Sequence, residues 1–460
     1  MAGALQLLET GLKRLQVGER FVRRNPLFYG SIQREFESLQ TMGLRERMER
    51  TELRLQDMQS VAGQTRYGRQ LGLPQPGRTW PLLHKDSVRD DPAAFHTSRA
   101  WFSSRANTGG TTGTPLRLLR SPVAVVAEQV CIDLMISLAG VDPRTVRMAV
   151  LRGDNVKPPS DMQPPFWIHA MGGRRLILSS NHLSDATLDA YVKAVEEFAP
   201  DLLWVYPSTL ESLCRALMRA GQRMRIPRVL SSSEMLADSI WPLAKHVLGA
   251  SIVDYYGQAE RVAFAYATHP GEYFFLPGYA NVELLPALED EESVCYEIVG
   301  TSLWNTAMPL IRYRTGDLIR LPRDAGPHAL LEIVHGLRSF PGVIGRNADV
   351  LLAPDGHGVL TGIDHIPRGV HELLRLQVIQ HAPDKVELRA LVTDEFSERH
   401  EAQIMQNARL KIPQSVAVSF VRVEQLHRTA SGKTPFVIHA PEVKAALQSA
   451  GITRATVGGS

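Results

Sequence analysis

SRANTGGTTGTP, at residues 104–115, is the stretch from which the rest of this chain can be interpreted, and we refer to it as the Gly/Thr loop. Its glycines allow backbone conformations with positive φ and let several N–H groups converge, while its threonine hydroxyls add further donors. Convergent donors without side-chain bulk suit a polyphosphate. The loop alone leaves open a second interpretation, a Gly- and Thr-rich surface turn without a ligand. The residues concerned are Thr108, Gly109, Gly110, Thr111, Thr112, Gly113 and Thr114.

The segment that follows the Gly/Thr loop, LRLLR at residues 116–120, reads as a strand. We therefore expect the loop to join two strands, whereas a P-loop NTPase places a helix after its phosphate-binding loop. A candidate Walker loop at residues 427–434 has His427 where that motif requires glycine. The Walker class of NTPase is therefore disfavoured.

Composition places the chain among globular proteins with a large core. Its 460 residues suffice for about three average domains, or for one large double domain and a smaller one. Hydrophobic residues make up 44% and charged residues 22%, which is enough apolar material for a substantial core. The formal net charge of +3 comes from scattered arginines without a dense basic block, so we expect no nucleic-acid partner.

Cysteine usage and hydropathy bear on the compartment. The three cysteines are far apart and form no Cys-x-x-Cys motif, which argues against a disulfide framework and a structural zinc site. No apolar run approaches ~20 residues, so we expect no membrane span. The N-terminus lacks the basic and apolar regions of a secretory signal. These features predict a cytoplasmic protein.

The middle of the chain alternates strands with helices of 10–15 residues. Buried strands are predicted at residues 148–151, 176–178, 202–206 and 251–257, and residues 228–234 read as a strand followed by a polar turn. Helices are predicted at residues 123–139, 186–198, 209–220 and 236–248. The helix after residue 206 is predicted to begin at a hydroxyl cap within Pro207-Ser208-Thr209. Such alternation predicts a largely parallel α/β sheet, with ligands at the carboxyl ends of the strands. Polar clusters at residues 206–209, 231–234 and 254–260 fall at those ends.

The pattern changes after residue 272. Short strands and turns from residue 272 to residue 321 predict a β-rich subdomain, and a composition shift near residue 346 is the best candidate for a domain boundary. Residues 1–75, rich in Arg, Glu, Gln and Leu, predict helices that are broken at Asn25-Pro26.

Five stretches in a fixed order carry a family resemblance. They are the Gly/Thr loop, YYGQAE at 255–260, YRTGD at 313–317, GR at 345–346 and SGK at 431–433. This order resembles the adenylate-forming superfamily of acyl-CoA synthetases, peptide-synthetase adenylation domains and luciferases. YPS at 206–208, SE at 233–234, MPLIRYRTGD at 308–317 and PDG at 354–356 make the phenylacetate–CoA ligase and CapK-like branch the most similar. The resemblance runs from about residue 80 to residue 434.

The resemblance implies a fold, a division into domains and a reaction. The fold is α/β and multi-domain: a large N-terminal domain at 1–345 with mostly parallel sheets and a β-rich subdomain, a hinge at 346–349, and a small mobile α+β lid domain at 350–460. The reaction is ATP-dependent adenylation of a carboxylic acid with release of pyrophosphate, followed by acyl transfer. The acceptor is left open among CoA, a carrier protein and an amine. Amide or ester formation without CoA is the alternative, and a homodimer is also left open.

The resemblance also implies the nucleotide-binding residues. Thr111 and Thr112 would hold the β- and γ-phosphates of ATP, Glu260 would ligate Mg²⁺, and Asp317 would accept bonds from the ribose hydroxyls. Arg346 would lie near the ribose at the domain joint, and Lys433 would neutralise charge at the α-phosphate from the lid. Lys433, Glu260 and Thr112 are the predicted catalytic residues. The predicted contacts to ATP or AMP are Thr108, Gly109, Gly110, Thr111, Thr112, Gly113, Ser233, Glu234, Tyr256, Gly257, Asp317 and Arg346.

Each implied role has a structural alternative. Glu260 is otherwise a solvated carboxylate at a strand end, Asp317 part of an ordinary Gly-Asp turn, and Arg346 an exposed linker arginine. A nucleotide-binding protein with decayed lid chemistry is the alternative function. The presence of Lys433 together with Glu260 and Asp317 argues against it, because an inactive scaffold would be free to lose them.

The acyl pocket is expected among the tyrosine-rich strand ends. Its predicted residues are Tyr206, Ser208, Ser231, Tyr255 and Gly257, with Trp167 and His182 as further walls. Together with the resemblance, these tyrosines indicate an aryl or small hydrophobic acid. A carboxylic acid with a pKa near 4 is already ionised at pH 7, so no catalytic base is required. The histidines are therefore expected to be structural or to line the pocket, and Arg152-Gly-Asp154 is expected to be a turn.

Two departures from the family pattern concern the acceptor. Ala348 stands where family members commonly carry an acidic or lysine hinge residue, with Asp349 one position later. Residues 354–358 read PDGHG, whereas phenylacetate ligases have a loop rich in Gly and Val near the CoA channel. Neither departure affects adenylation, but both leave thioester formation on CoA open.

Overall fold

The fold is described by a computed structural model. It covers residues 18–75, 78–107, 116–154, 156–158, 160–289, 292–346, 351–352, 354, 358–359, 363, 366–367, 370, 372–409, 412–428 and 434–449. The Gly/Thr loop from Thr108 onward, the hinge residues after Arg346 and Lys433 lie outside these described residues.

The regular elements alternate as the sequence predicts. The described α-helices are α1 Tyr29–Thr41, α2 Leu44–Gly63, α3 Arg66–Leu71, α4 Lys85–Asp90, α5 Pro122–Leu138, α6 Leu188–Phe198, α7 Pro207–Arg219, α8 Ile240–Leu248, α9 Pro327–Val334, α10 Glu398–Arg409 and α11 Pro441–Ser449. The described strands are β1 Ser104–Asn107, β2 Arg117–Arg120, β3 Met148–Leu151, β4 Trp167–Ala170, β5 Arg175–Leu178, β6 Leu202–Val205, β7 Arg228–Ser232, β8 Ser251–Gly257, β9 Phe264–Ala267, β10 Tyr273–Phe275, β11 Ala280–Glu289, β12 Ser293–Ser302, β13 Tyr313–Pro322, β14 Val343–Arg346, β15 Leu351–Leu352, β16 Gly358–Val359, β17 Leu373–Ala382, β18 Lys385–Val392, β19 Ala417–Arg422 and β20 Val437–His439.

The N-terminal helices are amphipathic and capped locally. In α1, Ile32, Phe36 and Leu39 recur at helical spacing and are buried. Helix α3 begins where the Thr65 hydroxyl accepts the backbone N–H of Gly68, and it ends at Gly72 with a φ of 65°. The predicted helices of this region are confirmed within the described residues.

The Gly/Thr loop begins with one strand of a pair, β1, and is followed by the other, β2. β1 and β2 are antiparallel, with Ser104 opposite Arg120 and Asn107 opposite Arg117. The prediction that this loop joins two strands, rather than a strand and a helix, is therefore confirmed.

An eight-stranded sheet forms the centre of the large unit. Its strand order is β10-β9-β8-β7-β6-β3-β5-β4. The strands from β8 to β5 are mutually parallel, and the remaining strands at both edges are antiparallel. The α/β fold class with a largely parallel sheet is thus confirmed.

Helices cover both faces of this sheet because apolar side chains alternate along its strands. Leu202 and Val253 belong to the apolar cluster that contains α5, and their neighbours Leu203 and Ile252 belong to the cluster that contains α6, α7 and α8. Strands buried on both faces read as continuous apolar runs, which is why they were predictable from sequence.

A four-stranded antiparallel sheet, in the order β11-β12-β13-β14, follows the large one and confirms the predicted β-rich region. On β12, Gly300 meets the backbone of Val262, which belongs to the segment between β8 and β9. An ideal Cβ at Gly300 would lie 1.9 Å from the carbonyl oxygen of Val262. Only glycine therefore lets this segment pack against the strand.

The C-terminal part has its own sheet, in the order β19-β18-β17-β20, which packs with α10. Its apolar cluster contains described residues between Leu351 and Val437 only. The boundaries predicted for the domains at 1–345, 346–349 and 350–460 stay predictions.

Two local predictions were wrong. Helix α8 begins at Ile240 instead of residue 236, because residues 235–237 form no regular element and residues 238 and 239 form a turn. Helix α7 begins at Pro207 with no capping bond from its N-cap side chain. The predicted hydroxyl cap is replaced by a carboxylate from a distant residue, Glu234, whose Oε2 accepts the backbone N–H of Ser208 at 2.9 Å.

Two further observations concern the whole described chain. Cys131, Cys214 and Cys295 are buried free thiols. Among the described helices, none is long and apolar enough to cross a membrane.

Gly300→Ala tests the close approach of β12 to the Val262 segment. Because the new methyl group would clash with a backbone oxygen, we expect a loss of about 1–3 kcal/mol in the free energy of unfolding, the usual cost of overpacking. Urea denaturation measures it. Gly326→Ala is the control, because a Cβ there meets nothing within 4 Å. Equal effects of the two substitutions would contradict this account.

Candidate active site

The parallel strands bring the predicted polar clusters to one edge of the sheet. β3, β6, β7 and β8 are neighbours, and their carboxyl ends lead into Arg152, Tyr206, Ser233 and Gln258. Ligands of open α/β sheets bind at such edges. The site is therefore built from residues that directly follow buried strands.

A buried hydrogen bond joins the two sheets at this edge. The Tyr256 hydroxyl, at the end of β8, donates to Asp317 Oδ2 on β13 at 2.6 Å. Asp317 is buried, and its own N–H donates to the Thr315 hydroxyl at 3.0 Å. Burial and the Asp317 carboxylate hold the pKa of Tyr256 well above its usual value, so Tyr256 stays a donor. The structure thus brings two of the predicted nucleotide contacts together.

Glu260 lies four residues after Tyr256 and is also buried. Its Oε1 accepts the Tyr313 hydroxyl at 2.9 Å and lies 3.8 Å from Lys85 Nζ. Arg120, at the end of β2, donates to the carbonyl of Ala259 at 2.9 Å. Burial, and next the neighbouring Arg261, lower the pKa of Arg120 to about 10, so Arg120 still carries its charge at pH 7. Glu260 therefore lies among cations.

Strand β2, which follows the Gly/Thr loop, begins in the same apolar cluster as residues next to Glu260. Leu116, the first described residue after the loop, is buried in one apolar cluster with Val262, Met308 and Tyr313. The loop and the Glu260 segment therefore share one core. The predicted loop contacts, Thr108 to Gly113, lie outside the described residues, as does Lys433. The backbone of Arg346 is paired with that of Asp317 across β14 and β13.

Glu260 is the single predicted metal ligand. Among the described residues, no group of three His, Cys, Asp or Glu side chains could enclose a metal ion. Mg²⁺ that is bound together with a nucleotide needs only one or two carboxylates, since phosphate oxygens and water complete its shell. A single buried carboxylate at the Gly/Thr loop fits this mode.

The segment after β7 contains two more predicted nucleotide contacts. Ser233 adopts a φ of 75°, which is uncommon for a residue other than glycine. The next residue, Glu234, directs its carboxylate to the start of α7. A carboxylate near a helix N-terminus interacts favourably with the helix dipole.

The predicted acyl-pocket residues divide into two groups. Tyr206 and Ser208 lie together at the carboxyl end of β6, and burial raises the pKa of Tyr206. Ser231 is fully buried, and its hydroxyl lies beside Asp254, whose pKa it lowers. Tyr255 packs into the core, stacked on Phe264 with ring centroids 5.2 Å apart. Gly257 ends β8 and is exposed.

Trp167 and His182 are not brought to these strand ends. Trp167 lies on β4, five strands from β8, which is roughly 24 Å at the usual strand spacing. His182 is buried, with its ring nitrogens bonded to the Ser179 hydroxyl at 2.7 Å and the Pro158 carbonyl at 3.2 Å. Its observed role is structural, as expected for the histidines in general.

Arg152 is the site residue that the sequence argument missed, since its tripeptide was interpreted as a turn. Its guanidinium lies 4.3 Å from the centroid of Trp204 and 5.1 Å from that of Tyr206. Its Nη2 donates to the Ser233 hydroxyl at 3.0 Å. The sequence did contain a signal for Arg152, because it directly follows a predicted buried strand and therefore lies at the ligand-binding edge of the sheet. Lys85 was missed as well, and no local pattern marks it.

Asp254 lies on β8, a few residues before the carboxyl end of the strand. It is buried, and its Oδ2 accepts the Tyr273 hydroxyl at 2.5 Å. Burial raises the pKa of Asp254 to about 7, although the bond from Tyr273 opposes this shift. Asp254 therefore changes charge near neutral pH.

Comparison with known proteins identifies relatives of the chain. Residues 351–440 match the family described as the CapK C-terminal domain. The chain is 19% identical over 368 residues to protein CapK of Staphylococcus aureus, covering 78% of this chain and 79% of CapK. It is 25% identical over 252 residues to phenylacetate-coenzyme A ligase of Pseudomonas putida, covering 52% of this chain and 50% of that ligase.

A solved structure shares the fold. It is that of 2-hydroxyisobutyryl-CoA ligase in complex with R3-HIB-AMP, with a TM-score of 0.59, 15% identity, and coverage of 86% of this chain and 90% of that one. The predicted resemblance to adenylate-forming ligases of the phenylacetate–CoA ligase and CapK-like branch is confirmed, and the prediction of a ligase agrees with these relatives.

Asp254→Asn tests the buried carboxyl. The pKa of a free aspartate is near 4, so the folded parent alone keeps this proton between pH 4 and about 7. The unfolded state then binds fewer protons than the folded state, so the stability of the parent falls as pH rises through this range and levels off above it. We expect the stability of Asp254→Asn, relative to the parent, to rise from pH 4 to 7.

Urea unfolding at several pH values measures this difference. Substitution of the exposed Asp324 by Asn is the control and is expected to give a difference independent of pH. A pH-independent difference for Asp254→Asn as well would contradict the account.

Proposed function

We propose that this chain is an ATP-dependent ligase that adenylates a carboxylic acid and then transfers the acyl group to a thiol or amine. The observation that carries the proposal is the convergence of Glu260 with the Asp317–Tyr256 pair beside the strand that leaves the Gly/Thr loop. We assign the carboxylate of Glu260 to a metal–phosphate group and that of Asp317 to a ribose. The names of the relatives support the same chemistry.

The proposed reaction needs alignment more than proton transfer. A carboxylate oxygen of the acid forms a bond to the α-phosphorus of ATP, and the bond from that phosphorus to the bridging oxygen of pyrophosphate breaks. The acceptor then attacks the acyl carbon, and AMP leaves with the oxygen that joined it to the acid. Holding the two anions in line and neutralising their repulsion supplies the catalysis.

The described residues suit the nucleotide side of this reaction. Asp317, held by Tyr256, would accept hydrogen bonds from the ribose hydroxyls. Glu260 would ligate Mg²⁺, which supplies positive charge between the phosphates. Lys85 and Arg120 add positive charge on the same side. Lys433, from the lid, is proposed to neutralise the α-phosphate as charge develops in the transition state.

The acyl side of the proposal rests on the neighbouring strand ends. Tyr206 and Ser208 are proposed to line the acid pocket, and the aromatic faces at β6 support the expected aryl acid. Arg152, between Trp204 and Tyr206, would add a cation at this wall. CoA is the first acceptor to test, because two of the relatives are named as CoA ligases. A reducing, cytoplasmic location is part of the proposal and agrees with the buried free thiols.

Pyrophosphate exchange into ATP tests the proposal directly. The parent protein is expected to catalyse acid-dependent exchange with at least one member of a panel containing phenylacetate, benzoate, short aliphatic acids and amino acids. Lys433→Ala should lower that exchange by ~10²–10³-fold or more, since it removes a donor used in the transition state. Binding of ATP should change little.

Lys193→Ala, at an exposed lysine on α6, is the matched control and should retain full exchange. Near-normal exchange by Lys433→Ala would remove Lys433 from the reaction. Exchange with aliphatic or amino acids alone would overturn the aryl preference.

Glu260→Gln tests the metal ligand. A neutral amide is a poorer ligand for a hard cation, so the variant should require a higher Mg²⁺ concentration for half-maximal exchange. Titration of Mg²⁺ at fixed ATP measures the shift, with Glu272→Gln as an exposed control. An unchanged magnesium requirement would exclude Glu260 from the metal site.

A further inference from the structure

Glu234 connects two parts of the chain that are 200 residues apart. Its side chain is 6% exposed, and each of its oxygens accepts one backbone N–H. Oε2 accepts that of Ser208 at 2.9 Å, at the start of α7, and Oε1 accepts that of Thr434 at 3.2 Å. Thr434 directly follows Lys433 in the sequence. A carboxylate of the large unit therefore holds the residue next to the predicted lid lysine.

Arg375, on β17 of the C-terminal sheet, completes the same cluster. Its Nη2 lies 3.7 Å from Glu234 Oε2 and donates to the carbonyl of Thr434 at 3.4 Å. Both backbone polar groups of Thr434 thus interact with one ion pair. We refer to Glu234, Arg375 and the backbone of Thr434 as the lid clamp.

Described residues on either side of Lys433 are also bonded to the C-terminal sheet. Gln377, two residues after Arg375 on β17, exchanges hydrogen bonds with the backbone of His427 at 3.1 and 3.0 Å. It also donates to the carbonyl of Pro435 at 2.9 Å. A movement of the C-terminal sheet would therefore carry His427 and Pro435 along, and the bond from Thr434 to Glu234 ties the same region to the large unit.

The position of Glu234 favours a negatively charged side chain. Its carboxylate lies at the N-terminus of a helix of 13 residues, which favours a negative charge. A second carboxylate near this cluster, Glu211, is paired with Arg215 at 2.9 Å. If the C-terminal sheet moved away, Glu234 would keep its bond to Ser208 but would lose both Thr434 and Arg375.

We propose that Glu234 is a positioning residue that fixes Thr434, and through it the neighbouring Lys433, for the adenylation step. The inference rests on the proposed function. The clamp acts through the backbone of Thr434, so that Lys433 reaches the α-phosphate only while the ion pair between Glu234 and Arg375 is formed.

The first test does not depend on activity. In Glu234→Gln, the amide oxygen can still accept the N–H of Ser208, so α7 keeps its start, but the charge and the second acceptor are lost. Hydrogen–deuterium exchange of the full chain, read in a peptide covering residues 427–440, should become faster in this variant and in Arg375→Met. Arg375→Lys keeps the charge and should retain most of the protection.

Glu35→Gln is the matched control, because Glu35 is a half-buried carboxylate paired with Arg54 in the N-terminal helices. It should leave exchange in residues 427–440 unchanged. Unchanged exchange in Glu234→Gln would overturn the clamp, whatever the activity.

The second test is pyrophosphate exchange with the acid that is most active for the parent. Glu234→Gln should lower kcat by about ten- to a hundredfold, the effect of displacing a reacting group by about 1 Å. Because both oxygens of Glu234 bond to the protein backbone, the clamp replaces the nucleotide contact predicted for Glu234, and the KM for ATP should change by less than about twofold. Arg375→Met combined with Glu234→Gln should be no slower than the slower single variant, because both remove one interaction.

The outcomes separate the clamp from the function. A parent that exchanges pyrophosphate while Glu234→Gln keeps the parental kcat overturns the clamp alone. Multiplying effects in the double variant also overturn it. A parent without exchange for any acid overturns the proposed function, and the inference with it. A fall in kcat at constant KM, with faster deuterium exchange in residues 427–440, supports the clamp.

Discussion

The hydrogen bond from Tyr256 to Asp317 is the contact on which the geometry of the site depends. It joins β8 of the eight-stranded sheet to β13 of the four-stranded sheet at 2.6 Å, and Gln258 donates to the same hydroxyl at 2.7 Å. The chain between these anchors and β9 carries Glu260. The relative position of the two carboxylates therefore follows from the position of the two sheets.

Close packing fixes the same region from the other side. Gly300 lets β12 approach Val262, and Val262 shares an apolar cluster with Leu116 at the end of the Gly/Thr loop. Tyr313, which starts β13, lies in that cluster and donates to Glu260. The strand after the Gly/Thr loop, the Glu260 segment and the start of β13 thus share one core. Preorganisation of this kind favours reactions that proceed by alignment and charge neutralisation.

Much of the fold was predictable because the signals are local. Continuous apolar runs marked the parallel strands, and alternation with helices marked the sheet, so the ends of β6, β7 and β8 were placed correctly. The carboxylate cap of α7 was not predictable, since Glu234 lies 26 residues from Ser208 and the hydroxyls of Ser208 and Thr209 suggested a local cap. The same holds for the pairing of Lys85 with Glu260. Long-range contacts between polar side chains leave no periodic trace in the sequence.

The proposed acid pocket was also only partly predictable from the sequence. The tyrosines at strand ends identified its edge, but the order of strands put Trp167 on a distant edge strand, and the stacking of Arg152 required Trp204 from a neighbouring strand. Strand order depends on how loops cross the sheet, which composition does not encode. The resemblance to adenylate-forming ligases supplied roles for single residues, and the structure adds the contacts through which they act together.

The central claim is that the acid itself attacks the α-phosphorus of ATP, and the fate of its oxygen tests this most directly. The protein would be incubated with ATP, Mg²⁺, hydroxylamine and the active acid labelled with ¹⁸O in both carboxylate oxygens, and the nucleotide product analysed by mass spectrometry. Adenylation predicts AMP that carries one ¹⁸O atom on its phosphate, together with the acyl hydroxamate. Unlabelled AMP, or ADP with ¹⁸O in inorganic phosphate, would contradict it.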